Sequence, residues 1–208
     1  VKKRTRKGSD IYFNIPYDPD FEVMLLAYLA YSVCLGLKPR LVLEEVSATP
    51  RLQRIWKTML ACRVSIHDLS RIDVPRFNMP VELGMAIALQ NLKGVEEHRC
   101  VAFVGNRRKF EKAASNLRGL DPLCHRGRPV VVLNEMFNAV IRKDRQPSKK
   151  DVLVVFKQLQ NAAPEIQRRF GQETAFAPVV WKYLVLTAAG LAQKVRLRVA
   201  AGPPRIVR

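Results

Sequence analysis

Short runs of β-branched and aromatic residues alternate with stretches of helical periodicity from residue 10 to about 143, and this alternation is what most restricts the fold. The runs are Ile11-Tyr12-Phe13-Asn14-Ile15-Pro16, Arg40-Leu41-Val42-Leu43-Glu44, Val64-Ser65-Ile66-His67-Asp68 and Cys100-Val101-Ala102-Phe103-Val104. Between the first two, Phe21, Leu25, Leu26, Leu29 and Val33 recur at helical spacing over Pro19–Leu35, and Gly36 supplies a stop. Thr49-Pro50 opens a second helix, with threonine at the cap, proline at the first position and Leu52, Ile55, Trp56 and Met59 as the inner stripe. A third is predicted from Val81 to Leu92, ending near Gly94, and two more over Arg107–Leu117 and Pro129–Arg142. Strand and helix in strict turn predict a parallel sheet with helices on both faces.

The segment Arg142 to Lys150 is polar, carries Pro147 and reads as a linker. Beyond it only helical signals remain, an amphipathic stretch over Asp151–Ala163 and a more apolar one over Val179–Val199. The stripe Val179, Trp181, Leu184, Val185, Ala188 and Leu191 is most simply a core or partner-facing helix surface. No repeat recurs at a spacing of tens of residues.

Charge divides the chain in a different way. Lys and Arg number 36 against 18 Asp and Glu, a formal +18. Residues 1–7 hold five bases and no acid, residues 8–138 hold 17 bases and 14 acids, and residues 139–208 hold 14 bases and 4 acids. The excess therefore belongs to the ends. Basic ends are a footprint for a polyanion, or simply a solvated surface. No zinc-finger or helix-turn-helix spacing accompanies them, so sequence-specific reading of nucleic acid is unsupported. No apolar run reaches the length of a membrane span, and no secretory h-region follows the basic start. Cys34, Cys62, Cys100 and Cys124 show no metal-ligand clustering, which predicts ordinary thiols in a reducing, cytoplasmic setting and no bound metal.

In an open parallel sheet, ligands bind where strands end at their carboxyl side. After the first strand come Asn14, Ile15, Pro16, Tyr17 and Asp18, and after the fourth Gly105-Asn106-Arg107. The densest polar group follows the third: His67-Asp68-Leu69-Ser70-Arg71, then Arg76-Phe77-Asn78-Met79-Pro80-Val81-Glu82. Pro80 marks the predicted start of the third helix, which puts Glu82 in its first turn, where the dipole favours a charged carboxylate. Such a group at the floor of a cleft can attack an anomeric carbon or stabilise an oxocarbenium-like centre. Equally, a first-turn glutamate can serve the helix alone. Asp68 is placed to orient a ribose hydroxyl or a base edge, Ser70 and Asn78 offer neutral hydrogen bonds, Arg71 and Arg76 suit phosphate, and Tyr17 and Phe77 suit stacking on a base. His67 faces opposite to Asp68 by strand alternation and reads as packed. His125 reads as a loop histidine, and its neighbour Cys124 is a poor nucleophile partner. Arg107-Arg108-Lys109 are either phosphate contacts or solvated.

The run Ser65-Ile66-His67-Asp68-Leu69-Ser70, with Asn78-Met79-Pro80-Val81-Glu82-Leu83-Gly84-Met85-Ala86, resembles a signature of nucleoside 2-deoxyribosyltransferase-like and Toll/interleukin-1-receptor (TIR)-like domains. There a strand ends in Asp-Leu-Ser/Thr, and an Asn stands four positions before the Glu of a Glu-Leu-Gly-x-Ala helix start. Tyr12-Phe13-Asn14-Ile15-Pro16-Tyr17-Asp18, Asn116-Leu117-Arg118-Gly119-Leu120-Asp121-Pro122 and His125 are similar to bacterial proteins of this group, and the likeness covers roughly residues 10–143. It implies a flavodoxin-like parallel α/β domain over 10–143, which the charge distribution and the helical signals flank with a basic arm (1–9) and a basic helical extension (151–208). It further implies cleavage or exchange of N-glycosidic bonds of nucleosides, nucleotides or NAD, with Glu82 catalytic. Asp68 becomes a sugar or base contact, Asn14 and Asn78 line the pocket, and no cofactor is needed. Deoxyribosyltransferases often carry an Asp about six residues before the glutamate, and this chain has Arg76 there. A phosphate-bearing substrate, or one with a pre-charged leaving group such as NAD, fits that departure. A homodimer is expected from the apolar terminal helix and, on the resemblance, from pockets completed in pairs; a role in stress or antiphage signalling is a further implication of the resemblance. The rival readings are a nucleotide-sensing module that binds without cleaving, and an assembly module whose basic ends hold nucleic acid.

Overall fold

Alternating side chains in the strands have to find cover on two sides, and the helices supply it. The computed structural model describes residues 10–44, 49–71, 78–92, 98–141 and 146–200. In chain order it contains β1 (Asp10–Asn14), α1 (Glu22–Cys34), β2 (Lys38–Arg40), α2 (Arg51–Ala61), β3 (Val64–Asp68) and α3 (Asn78–Asn91). These are followed by β4 (Arg99–Val104), α4 (Arg107–Ala113), β5 (Leu123–Cys124), α5 (Pro129–Ala139), α6 (Lys149–Arg169) and α7 (Pro178–Ala200). The five strands among the described residues are all parallel, in the order β2-β1-β3-β4-β5. This is the flavodoxin-like arrangement, and its winding reverses between β1 and β3, where a crevice opens at the strand ends.

Ile11, Phe13, Ile66, Val101 and Phe103 share one apolar cluster with α1 and α5. On the opposite face Tyr12 packs with α2 and α3, while Ala102 and Val104 pack with Leu83 and Phe110. Helix α1 is apolar almost all the way round, and Met24 to Cys34 are buried without interruption. A helix of that kind needs cover on both sides. The sheet covers one side. Helices α6 and α7 cover the other as a third layer, adding Val152, Val155, Phe156, Leu159, Trp181 and Leu184 to the same cluster. Trp181 reaches through to Phe13 of β1, ring centroids 6.3 Å apart. The α1 terminus is closed as Gly36 predicts: at φ 77° its N–H bonds Val33, and the N–H of Leu37 bonds Ser32. Arg196 of α7 donates to the carbonyls of Val33 and Cys34, so one base of the charged C-terminal region caps this helix.

Several boundaries differ from the sequence reading. The predicted second strand stops at Arg40, and Val42–Glu44 curls into a 3-10 turn. Glu44 causes this, accepting from the Leu41 N–H (2.9 Å), from Arg40 Nε (2.7 Å) and from Trp181 Nε1 (2.9 Å). Pro50, not Thr49, occupies the cap of α2, and on that helix Ile55 and Met59 are buried while Leu52 is 55% exposed. Helix α4 ends at Ala113 and a 3-10 stretch takes over from Ser115. The two-residue β5 escaped notice because so short a strand has no period to detect. Helix α6 runs past the expected stop at Ala163 to Arg169, and Pro164 is tolerated on its exposed side. No described helix is long and apolar enough to cross a membrane.

Candidate functional site

Register decides which side chains meet. Tyr12 pairs with Ser65 and Asn14 with His67, so these four form one patch on the α3 face of the sheet. Asp68 is one step further along β3 and lies on the α1 face. Glu82 comes to the patch from above. Helix α3 begins at Asn78, so Glu82 sits a turn further in than predicted, beyond the strongest influence of the helix end.

The Glu82 side chain is only 3% exposed. Tyr12 donates its hydroxyl to Oε2 at 2.8 Å, and Asn78 Nδ2 approaches Oε1 at 3.4 Å. It makes no ion pair among the described residues. Burial pushes its carboxyl above the usual range, against the opposing pull of the Tyr12 and Asn78 hydrogen bonds and of the Arg51 charge. This reverses the direction expected from a first-turn position. The carboxylate borders a cavity of about 430 Å³ lined by Asn14, Ile15, Tyr17, Arg51, Asn78, Met79 and Glu82. That volume falls in the range typical of small-ligand pockets, ~300–1,000 Å³. The position, at the strand ends beside the β1/β3 reversal, is where such folds place ligands.

Of the predicted contacts, Asn14, Tyr17 and Asn78 line this cavity with Glu82. Tyr17 also packs on Phe176 from the α6–α7 connection, centroids 5.1 Å apart, and burial raises its hydroxyl pKa. Pro16 is buried outside the lining. Arg76 and Phe77 lie outside the described residues. Arg71 reaches back to Asp18 at 2.8 Å and to Asp20 at 3.6 Å, tying the loops after β3 and β1 together.

Asp68 and Ser70 belong to a separate buried cluster. Asp68 is fully buried, accepting from Tyr28 OH at 2.7 Å on Oδ2 and from the Ser70 N–H and hydroxyl on Oδ1. His125 Nε2 stands 2.8 Å from Ser70 Oγ and 3.1 Å from Asp68 Oδ2, while its Nδ1 accepts from the Gly127 N–H. A catalytic triad uses opposite ring nitrogens for its serine and its carboxylate. Here one nitrogen serves both, so the group clasps β3, β5 and α1 together instead of activating the serine. A Cβ at Gly105 would come within 3.3 Å of Ser70 Oγ, so any larger residue there presses on this cluster. Cys124 points its thiol at the Gly105 carbonyl, 3.6 Å away. Arg107 pairs with Asp121 at the edge of a second, more open hollow of about 750 Å³ that also holds Arg108 and Arg126.

One charged residue of the cavity is missed by the sequence reading. Arg51, the first residue of α2, lines the cavity, and it could have been found by reading the chain after the second strand as well as after the others. His67 is packed, as its place in the strand predicts: it is fully buried behind the cavity on the face that Glu82 covers, and its Nδ1 lies 3.0 Å from Asn14 Nδ2.

Fold and site together define a flavodoxin-like α/β protein with a carboxylate-bearing cavity at its topological switch point. No protein-family model, curated protein or solved structure matches the chain.

Proposed function

We propose that this protein cleaves or exchanges the N-glycosidic bond of a nucleotide, nucleoside or NAD, with Glu82 as the catalytic glutamate. The observation that carries this is a buried carboxylate without an ion pair among the described residues, fixed by Tyr12 on one oxygen, at the wall of a cavity of about 430 Å³. Tyr12 holds Oε2, which leaves Oε1 to meet the sugar. In the reaction Oε1 bonds to the anomeric carbon as the bond to the base breaks, and the base leaves with the electron pair. Water or a second base then attacks the same carbon and frees the carboxylate. A positively charged nicotinamide leaves without a proton donor, and none of the described cavity residues is an obvious acid besides Glu82 itself.

Arg51 brings positive charge to the cavity and suits a phosphate on the substrate. Arg51→Ala is expected to raise KM about tenfold for a 5′-phosphorylated substrate and to leave the matching nucleoside nearly unchanged, as read by steady-state kinetics on both. Equal losses would remove the phosphate role.

Attack requires the ionised carboxylate, so kcat/KM should rise with pH through the elevated pKa of Glu82. Tyr12→Phe removes a hydrogen bond to the charged form and is expected to move that limb to higher pH by about half a unit to one unit. A limb that stays in place would separate Tyr12 from the reacting group.

The direct test incubates the protein with NAD, nucleoside monophosphates and nucleosides, and follows free base by chromatography. Released base supports the proposal. Binding of a nucleotide with no base released over long incubation would overturn it and leave a recognition module.

A further inference from the structure

Asn14 is nearly buried, at 4% exposure, and its amide is held by a chain of hydrogen bonds running behind the cavity wall. Nδ2 donates to the Met79 carbonyl at 3.0 Å and meets His67 Nδ1 at 3.0 Å. His67 Nε2 lies 2.9 Å from Ser65 Oγ, Ser65 Oγ lies 2.8 Å from His98 Nε2, and His98 Nδ1 lies 3.0 Å from the Cys62 carbonyl. Both ends of the chain are carbonyl oxygens, which only accept. Starting from Met79, the Asn14 amide must present its nitrogen, so His67 Nδ1 accepts and Nε2 carries the proton. Starting from Cys62, His98 Nδ1 carries the proton, His98 Nε2 accepts, Ser65 donates to it, and Ser65 accepts from His67. The two directions agree with both rings neutral. The arrangement uses both amide hydrogens of Asn14 and leaves Oδ1 without a partner among the described residues, on a side chain that lines the cavity.

We propose that His67, backed by Ser65 and His98, is a positioning residue that fixes Asn14 with its carbonyl oxygen toward the cavity, so that the site selects a ligand presenting a sugar hydroxyl there. The inference rests on the preceding reading for the sugar, since Asn14 and Glu82 share one wall and hydroxyls flank an anomeric carbon. A ligand that covers this oxygen without offering a donor strips its water and returns nothing, so a ligand lacking the hydroxyl binds less tightly. The amide cannot turn over to offer its nitrogen without facing Oδ1 against two acceptors.

Two measurements test it on the full chain. Long-range proton–nitrogen NMR should show His67 as the Nε2–H tautomer, and finding Nδ1–H overturns the proposal outright. Calorimetric titration should show adenosine 5′-monophosphate binding about tenfold tighter than its 2′,3′-dideoxy analogue. His67→Leu, which leaves Asn14 free to turn, should erase that preference. His67→Asn, whose side-chain oxygen stands where Nδ1 stood, should restore it. Equal affinity of the two probes for the native protein, or no binding of either at millimolar concentration, overturns the proposal. A retained hydroxyl preference with no base released from any nucleotide would instead count against the chemistry assigned to Glu82 and support the role given to Asn14.

Discussion

Glu82→Gln is expected to lower base release by about a thousandfold or more, a barrier increase of roughly 4 kcal/mol. Glutamine has the shape of the native side chain, and its carbonyl oxygen still accepts from the Tyr12 hydroxyl that now meets Oε2 at 2.8 Å. What is lost is the negative charge and the capacity to bond the anomeric carbon. The substitution also relieves the burial that pushes the native carboxyl upward, so the variant should unfold at the same temperature as the native protein or higher. Activity and stability thus move apart, which separates a catalytic role from a structural one. Base release that survives in a folded Glu82→Gln protein would remove Glu82 from the mechanism.

Acidification below pH 6.5 is expected to destabilise the protein steeply, and His67 is a principal reason. Burial, with the nearby His98 adding to it, lowers its pKa from the ordinary 6.5 to about 3. Between those values the unfolded chain takes up a proton that the folded chain refuses, so stability increases with pH across this window and is lost as pH falls through it. Above pH 6.5 the histidine is neutral in both states and contributes no pH dependence. One such group costs up to ~1.4 kcal/mol per pH unit, or several kcal/mol by pH 4. Other groups titrate there too, so the measurement is a difference: urea unfolding of native and His67→Asn proteins at pH 7, 5.5 and 4.5. The stability gap between them should change progressively in favour of the variant as pH falls. A gap independent of pH would mean that His67 does not stay neutral.

Where a physical rule acts locally, the sequence was easy to read. Val64–Asp68 forms a strand because β-branched and polar residues alternate there, and Gly36 ends α1 because the chain needs a left-handed residue at that point. The parallel α/β class follows from the order of such segments. What escaped depends on distant partners. Nothing near Glu44 foretells that Trp181, 137 positions later, will share its carboxylate and help turn a strand end into a 3-10 bend. The site divides in the same way. Glu82, Asn14, Tyr17 and Asn78 are strand-end or helix-start residues and could be listed in advance. Choosing between His67 and Asp68 required knowing which face of β3 the third helix would cover, and alternation gives only that the two differ. The sign of the Glu82 shift escaped for a related reason, since burial is a property of the packed layers and the helix-end argument weighs only the nearest turn.

The enclosure of α1 has a consequence for how this protein can be divided. A version ended after α5 would keep every strand and the whole glutamate cavity, yet it would present to water an oily cylinder that the last two helices had wrapped. It would also lose Phe176, the prop behind one wall of the hollow. The hairpin at the carboxyl end is therefore not baggage that the sheet carries: the half that holds the pocket depends on it for its outer skin.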